Sequence, residues 1–225
     1  AFGALADALA WGEFDACVNA TPDGAHKDTT LALLDARKPV FCEKPLAKTL
    51  ADVQEMVDAV ERAGVVNQVG LVLRYSPVFT VLKEMMSSPD LGPLLTAHLR
   101  DDQFFPIRGH YGSSWRGKFE RAGGGTLIEH SIHDLDLLEW FAGEITAVSA
   151  TTNEFAGLSG IEDIAVVRLM HTSGISTTLI SIWHQIMTRP STRRIELFCE
   201  KALVVLDDET PWSLRVQQSD GEVLR

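Results

Sequence analysis

The chain changes its period partway along, and that change constrains the fold more than any single motif. Up to about residue 73, short apolar runs alternate with helical stretches; from Ile145 onward nearly every segment reads as a strand. In the first part, Asp15 to Ala20 is a strand candidate closed by the turn signal Thr21-Pro22-Asp23-Gly24. A helix follows through Leu31, Leu33 and Leu34 and ends near Arg37-Lys38-Pro39; Val40 to Cys42 is the next strand. Thr49-Leu50-Ala51-Asp52 is a box that caps a helix start. Val53, Met56, Val57 and Val60 then recur at helical spacing up to Gly64, and Val65 to Leu73 reads as a third apolar strand. Strands separated by single helices predict a parallel sheet, because a helix is what carries the chain back across.

After Arg74-Tyr75 the character differs. Pro77 to Met86 reads as a helix, Leu94 to Gln103 as a strand, 104–125 as a loop rich in glycine, proline and aromatic residues, and Leu127 to Ala142 as one long helix stopped by Gly143. Strands are expected over 145–155, 161–170, 175–186, 193–199, 202–207 and 213–217. Consecutive strands with short connections predict an antiparallel sheet. The expected fold class is therefore α/β plus α+β, a parallel piece over 1–73 and a broad, mainly antiparallel sheet piece over 74–225.

A net charge of -11 argues against a nucleic acid partner, since phosphate binding needs a basic face, and against an anionic membrane surface. Cys17, Cys42 and Cys199 are few, odd in number and far apart, which fits a reducing, cytoplasmic compartment and neither a zinc nor a redox motif. Asn19-Ala20-Thr21 matches a glycosylation sequon but falls at a strand end. No run is long enough to span a bilayer, and no signal peptide opens the chain. The opening at Ala1 in a helix-like stretch and the stop at Arg225 just after a strand suggest a fragment of a longer protein.

Two stretches carry candidate chemistry. Glu43-Lys44-Pro45 directly follows the strand Val40–Cys42. Ligands of open α/β sheets bind at the carboxyl ends of strands, and a proline disfavours helical geometry at the residue before it, so Lys44 is placed to reach a crevice from a stiff support. Thr21-Pro22-Asp23 with His26 lies at another strand end, so the two groups plausibly edge one crevice. The second stretch follows Gly123-Gly124-Gly125, whose backbone could approach another body such as a cofactor. The helix expected there carries Leu127, Ile128, Ile132, Leu135 and Leu138 on its back and Glu129, His133 and Asp136 on one other side. A carboxylate one turn before a histidine can hold its ring and stabilise the imidazolium. The alternatives are that Thr126 to Glu129 is only a capping box, that Asp136 is a structural hydrogen-bonding partner or surface charge, or that Glu129, His130 and His133 form the metal site of a hydrolase, although the pattern is not His-Glu-x-x-His. No G-x-G-x-x-G follows a strand, so either no dinucleotide binds or the phosphate loop lies upstream of Ala1.

Together, Asn19-Ala20-Thr21-Pro22 with His26, Cys42-Glu43-Lys44-Pro45-Leu46, Gln68-Val69-Gly70 with Arg74-Tyr75, Trp115-Arg116, and the run GGGTLIEHSIHDLD resemble the Gfo/Idh/MocA oxidoreductases over essentially the whole chain and in the family's order. The resemblance implies the second half of a Rossmann domain over 1–73 and an open-faced sheet domain with helices on one face over 74–225, with the active site between them. It also implies NAD or NADP as cofactor and a sugar or polyol as substrate. Carried over by position, Thr21, Pro22 and His26 would lie along the nicotinamide. Glu43, Lys44 and Pro45 would be among the cofactor contacts, with Glu43 and Lys44 near the ribose. Arg74, Trp115 and Arg116 would line cofactor or cleft. His133 matches the catalytic histidine, and Lys44 would also reach the substrate. The family often has Asp where Glu129 stands, and the phosphate-binding half and a final segment are missing. The broad sheet makes a homo-oligomer the expected assembly; a purely structural module built on that sheet is the further alternative.

Overall fold

The computed structural model describes residues 1–108, 111–186, 188–208, 213–219, 221 and 223–224. The chain divides into two compact units, one of Ala1–Leu71 with Lys118–Gly123, the other of Val72–Gly117 with Gly124–Arg225.

The first unit opens with α1 (Leu5–Trp11) and then alternates β1 (Cys17–Asn19), α2 (Asp23–Asp35), β2 (Val40–Cys42), α3 (Leu50–Ala63) and β3 (Asn67–Val69). The strands are parallel in the order β1-β2-β3, with Val18 opposite Phe41 and Phe41 opposite Gln68. Leu33 and Leu34 of α2, Val40 of β2 and Ala59 of α3 form the buried centre. At the start of α3, Thr49 Oγ1 accepts the Asp52 amide at 3.1 Å, and Gly64 ends it in the left-handed region that an L side chain resists. The third strand is shorter than its apolar run. The Gly70 amide donates to Cys42, the last residue of β2, and the Leu71 amide turns back onto Val69. The pairing of β3 with β2 ends at Val69, opposite Cys42, and Val72–Tyr75 coils into a 3-10 turn. A four-residue helix, α5 (Phe119–Ala122), also belongs to this unit, and Lys48 Nζ donates to its Glu120 carbonyl.

The second unit contains α4 (Pro77–Met86), β4 (Leu94–Phe104), a 3-10 turn at Ser114–Gly117, a π turn at Leu127–Ser131 and α6 (Ile132–Ala142). Seven strands follow: β5 (Ile145–Asn153), β6 (Ile164–His171), β7 (Ser176–His184), β8 (Thr192–Cys199), β9 (Ala202–Asp207), β10 (Ser213–Gln218) and β11 (Val223–Leu224). Their order is β11-β10-β9-β8-β4-β7-β6-β5. Every pairing is antiparallel except β4 with β7, because β4 enters the sheet between strands that come far later in the chain. Phe79 and Leu82 of α4 and Leu137, Leu138 and Phe141 of α6 pack on Leu99, Val167, Leu169, Leu179, Ile195 and Leu197 of the sheet. Burying a side chain of this size contributes about 1.5–3 kcal/mol.

The expected single helix over 127–142 begins instead as a π turn and becomes α-helical only at Ile132. The wider turn rotates the buried face. Asp134, Leu137, Leu138, Phe141 and Ala142 are buried, whereas Leu127, Ile128, Ile132 and Leu135 of the expected back are only partly so. The capping box is not formed either: Thr126 is already helical and its hydroxyl meets Ser181 Oγ at 2.6 Å.

Candidate functional site

The candidate residues fall into two groups, one in each unit. In the first unit they stand at the carboxyl ends of β1 and β2. Asn19 is buried; its side-chain amide donates to the Thr30 hydroxyl at 3.0 Å and to the His26 carbonyl, and its oxygen accepts the Thr21 hydroxyl at 2.7 Å. This fixes the turn after β1 while leaving Thr21 and Pro22 exposed. His26 is 1% exposed, and its two ring nitrogens lie 2.7 Å from the Pro45 and Thr21 carbonyls. A neutral imidazole donates from one nitrogen only, so two carbonyl acceptors favour the imidazolium. Burial opposes the charge, but the Cys42 side chain and the two carbonyls outweigh it and raise the His26 pKa above its ordinary value. His26 therefore ties the β1 turn to the segment after β2.

Around Glu43 the fixing is again by main chain. Its amide donates to the Asn19 carbonyl at 2.9 Å, and its carboxylate accepts the Lys44 amide at 3.3 Å. The Lys44–Pro45 peptide is cis, Pro45 is buried, and Glu43 and Lys44 are partly buried. Gly70 is required beside them, because a Cβ there would lie 2.9 Å from Glu43 Oε2 and 3.2 Å from its Cα. Polar atoms and an exposed turn at the carboxyl ends of parallel strands could hold part of a bound ligand or cofactor. A glycine-rich turn for the pyrophosphate is absent from this chain's sequence.

In the second unit, Glu129 is buried and its Oε1 accepts Arg116 Nε at 2.8 Å. Arg116 in turn donates to Ser113 and lies over the Trp115 ring, 4.6 Å from its centroid. Of the expected cleft residues, Arg116 thus meets the expected carboxylate, and Trp115 packs against Arg116. His133, partly buried, is the second residue of α6. Asp136 takes the structural role: it accepts Arg74 Nε at 2.7 Å and Nη2 at 2.6 Å, a two-pronged pair that raises the Arg74 pKa through the hydrogen bond. The metal reading finds no geometry to rest on. Glu129 faces a guanidinium, His130 Nε2 lies 3.0 Å from Asp101, and among the described residues no three metal-ligating side chains converge.

The three glycines are explained by this chain's own packing. A Cβ on Gly125 would lie 1.9 Å from the Glu162 carbonyl oxygen, one on Gly124 would strike Ile128, and Gly123, at φ 78, would strike Lys48. Glu162 is the residue the sequence did not announce. Its carboxylate accepts the amides of Gly125 at 2.7 Å and Leu127 at 2.9 Å, and its carbonyl accepts that of Thr126. Of the two amides the expected capping box would have satisfied, Glu162 thus takes that of Thr126, while the Glu129 amide donates to the Gly125 carbonyl. Asp101 and Arg193 were also missed. A signal exists for both: they share the strand parity of the inward-facing Ala97, Leu99, Ile195 and Leu197.

Residues 1–71 match the family model described as oxidoreductase family, NAD-binding Rossmann fold, and residues 79–205 match the GFO/IDH/MocA C-terminal domain. The chain is 30% identical over 165 residues to 1,5-anhydro-D-fructose reductase of Ensifer adhaerens, covering 72% of this chain and 49% of that protein. It is 29% identical to myo-inositol 2-dehydrogenase of Thermotoga maritima, covering 92% and 61%. Among solved structures, levoglucosan dehydrogenase in complex with NADH and levoglucosan superposes with a TM-score of 0.88 at 20% identity, over 99% of this chain and 64% of that one. The WlbA dehydrogenase of Bordetella pertussis, in complex with NADH and UDP-GlcNAcA, gives 0.82 at 28% identity over 92% and 59%. The chain therefore spans roughly half to two thirds of the proteins it resembles.

Proposed function

This chain belongs to the Gfo/Idh/MocA oxidoreductase family, and we propose that the complete protein transfers a hydride between NAD or NADP and a secondary alcohol or carbonyl of a sugar or polyol. The observation that carries the reading is the strand-end group, in which Thr21, Glu43 and Lys44 are held at the carboxyl ends of parallel strands within the segment that matches the NAD-binding model. The substrate class follows the sugars and polyols named for the relatives. The nicotinamide, when bound, supplies the hydride chemistry.

The chain's residues do the rest. Thr21, Pro22, Glu43 and Pro45 hold the nicotinamide side, with His26 acting through the two carbonyls it ties together. Lys44 donates a hydrogen bond to the substrate oxygen and stabilises negative charge growing there. His133 takes the hydroxyl proton, and Glu129, paired with Arg116, steadies the imidazolium. Trp115 and Arg116 line the cleft, and Arg74 supports the histidine helix through Asp136. The test is reduction of NAD or NADP by the complete protein offered myo-inositol or levoglucosan, or oxidation of NADH or NADPH with 1,5-anhydro-D-fructose; no turnover of either cofactor with any polyol or sugar tried, by protein whose fold is verified, contradicts the proposal.

The assembly reading has its own support. On the sheet face away from α4 and α6, Val166 and Ile180 are cross-strand partners, 50% and 37% exposed, and Phe198 is 36% exposed. A second copy covering that face would remove this apolar surface from water, giving a homo-oligomer. A monomer by sedimentation of the complete protein contradicts it. Three free cysteines fit a reducing, cytoplasmic location, and no described helix is long and apolar enough to cross a membrane.

A further inference from the structure

A row of polar side chains runs straight across the inward face of the large sheet, where apolar residues belong. Asp101 of β4 stands opposite Arg193 of β8 on one side and opposite Ser181 of β7 on the other. All three are buried. The junction between the π turn and α6 lies directly over them. His130 Nε2 is 3.0 Å from Asp101 Oδ2, Ser131 donates to Ser181 at 2.6 Å, and Arg193 Nε donates to Asp134 Oδ1 at 2.6 Å. His133 sits inside the span whose two ends, His130 and Asp134, are gripped this way. Burying such charges costs several kcal/mol per ion before pairing, so a row of apolar residues would hold a helix to the sheet at least as well. What the charges add is a fixed rotation and register for the turn they hold.

We propose that Asp101, Arg193 and Asp134 are positioning residues for His133, a lock between adjacent strands whose charge state is felt at the imidazole it places. The two acids are not equivalent. Burial favours the neutral form of Asp101, but His130 and Arg193 outweigh that and hold its carboxyl well below the usual range. Asp134 is fully buried, and its Oδ2 has no hydrogen-bond partner among the described residues. Burial pushes its carboxyl up to about 7; Arg193 pulls against this and the Asp101 charge adds to it. The groups that face it are Arg193 from β8, Asp101 from β4 and His130 from the π turn, with Asp208 behind Arg193, accepting its main-chain amide. One guanidinium thus serves a permanent anion and an acid that changes charge near neutrality, next in sequence to His133.

The inference rests on the reading of His133 as the acid–base group, but its test does not use turnover. The chain is labelled with ¹⁵N-histidine, and the His130 and His133 ring resonances are followed against pH in wild type and three variants. In Asp101→Asn the His130 ring loses the carboxylate 3.0 Å from its Nε2, so its ring resonances shift, and those of His133 shift with them. Arg193→Lys moves His133 less than Arg193→Met does. In wild type the His133 resonance shows a second inflection near the Asp134 midpoint, and Asp134→Asn, which mimics the protonated acid in shape, abolishes it while leaving the fold intact. If Asp101→Asn or Arg193→Met does not fold, the Asp134→Asn titration decides. A His133 titration identical in wild type and Asp134→Asn overturns the proposal, as does one unmoved in a folded Asp101→Asn that shifts His130. An inactive complete enzyme would remove the hydride-transfer reading and leave these titrations to stand or fall separately.

Discussion

The strand-end group of the first unit and the histidine helix of the second place polar residues by opposite means. In the first, main-chain groups do most of the fixing. Asn19, His26 and Glu43 are held by carbonyls and amides within a few tens of residues, and Thr21 and Pro22 stay exposed. In the second, charged side chains from distant segments do it: Arg193 of β8 reaches back 59 residues to Asp134 of α6, and Glu162, in the loop before β6, reaches back 37 residues to Gly125. Local fixing tolerates substitution one contact at a time. A buried charge network does not, because removing one member leaves another uncompensated in a medium that solvates it poorly.

The sharpest contrast is between two glycines. At Gly125 a Cβ would lie 1.9 Å from a main-chain oxygen that no rotamer change can move, so Gly125→Ala loses more than about 4 kcal/mol in urea unfolding, or does not fold. In α2, a Cβ on Gly24 meets nothing closer than 3.5 Å, and Gly24→Ala is neutral or gains up to about 1 kcal/mol. Equal losses at the two positions would break the comparison.

Next in size is the buried pair. Asp101→Asn leaves Arg193 and His130 without their shared anion and costs about 3–5 kcal/mol at neutral pH. Asp134→Asn behaves differently, and its sign depends on pH. Because the folded Asp134 carboxyl is raised from 3.8 to about 7, its proton contributes stability that is fully present below the ordinary value and is lost as pH rises through the folded one. Relative to wild type, Asp134→Asn therefore gains as pH climbs across that window, and a constant difference in melting temperature across it contradicts the assignment. His26 in the first unit, also raised, loses its contribution as pH climbs above the ordinary histidine value of 6.5. The smallest expected effect is local: Thr49→Ala removes the side-chain cap of α3 and costs about 1 kcal/mol by urea unfolding.

The same contrast explains what could be read from the sequence. Thr49 and Gly64 mark α3, and the turn after Asn19 and the Glu43-Lys44-Pro45 end of β2 are written in adjacent residues, so the parallel unit and its strand-end group were legible. So was the run of strands after Ile145. Three features were not. The insertion of β4 beside β7 depends on pairings far apart in sequence. The π turn at Leu127 is fixed by Glu162, Ser181 and Asp101 from other elements, and local periodicity favours a regular helix there. The glycines before it look like an approach to a ligand, because nothing nearby in sequence says that Glu162 fills the space.

The proposed mechanism gives Lys44 the substrate oxygen and His133 the hydroxyl proton. The most direct measurement is turnover by the complete protein with its preferred cofactor, NAD or NADP, and its best sugar or polyol substrate, comparing wild type with Lys44→Met and His133→Gln, each with its fold verified. The account predicts that each variant loses at least about 10²-fold in kcat. Because the two groups act on the same atom, it also predicts that the double variant loses less than the product of the single losses. Near-wild-type turnover in both single variants would contradict it.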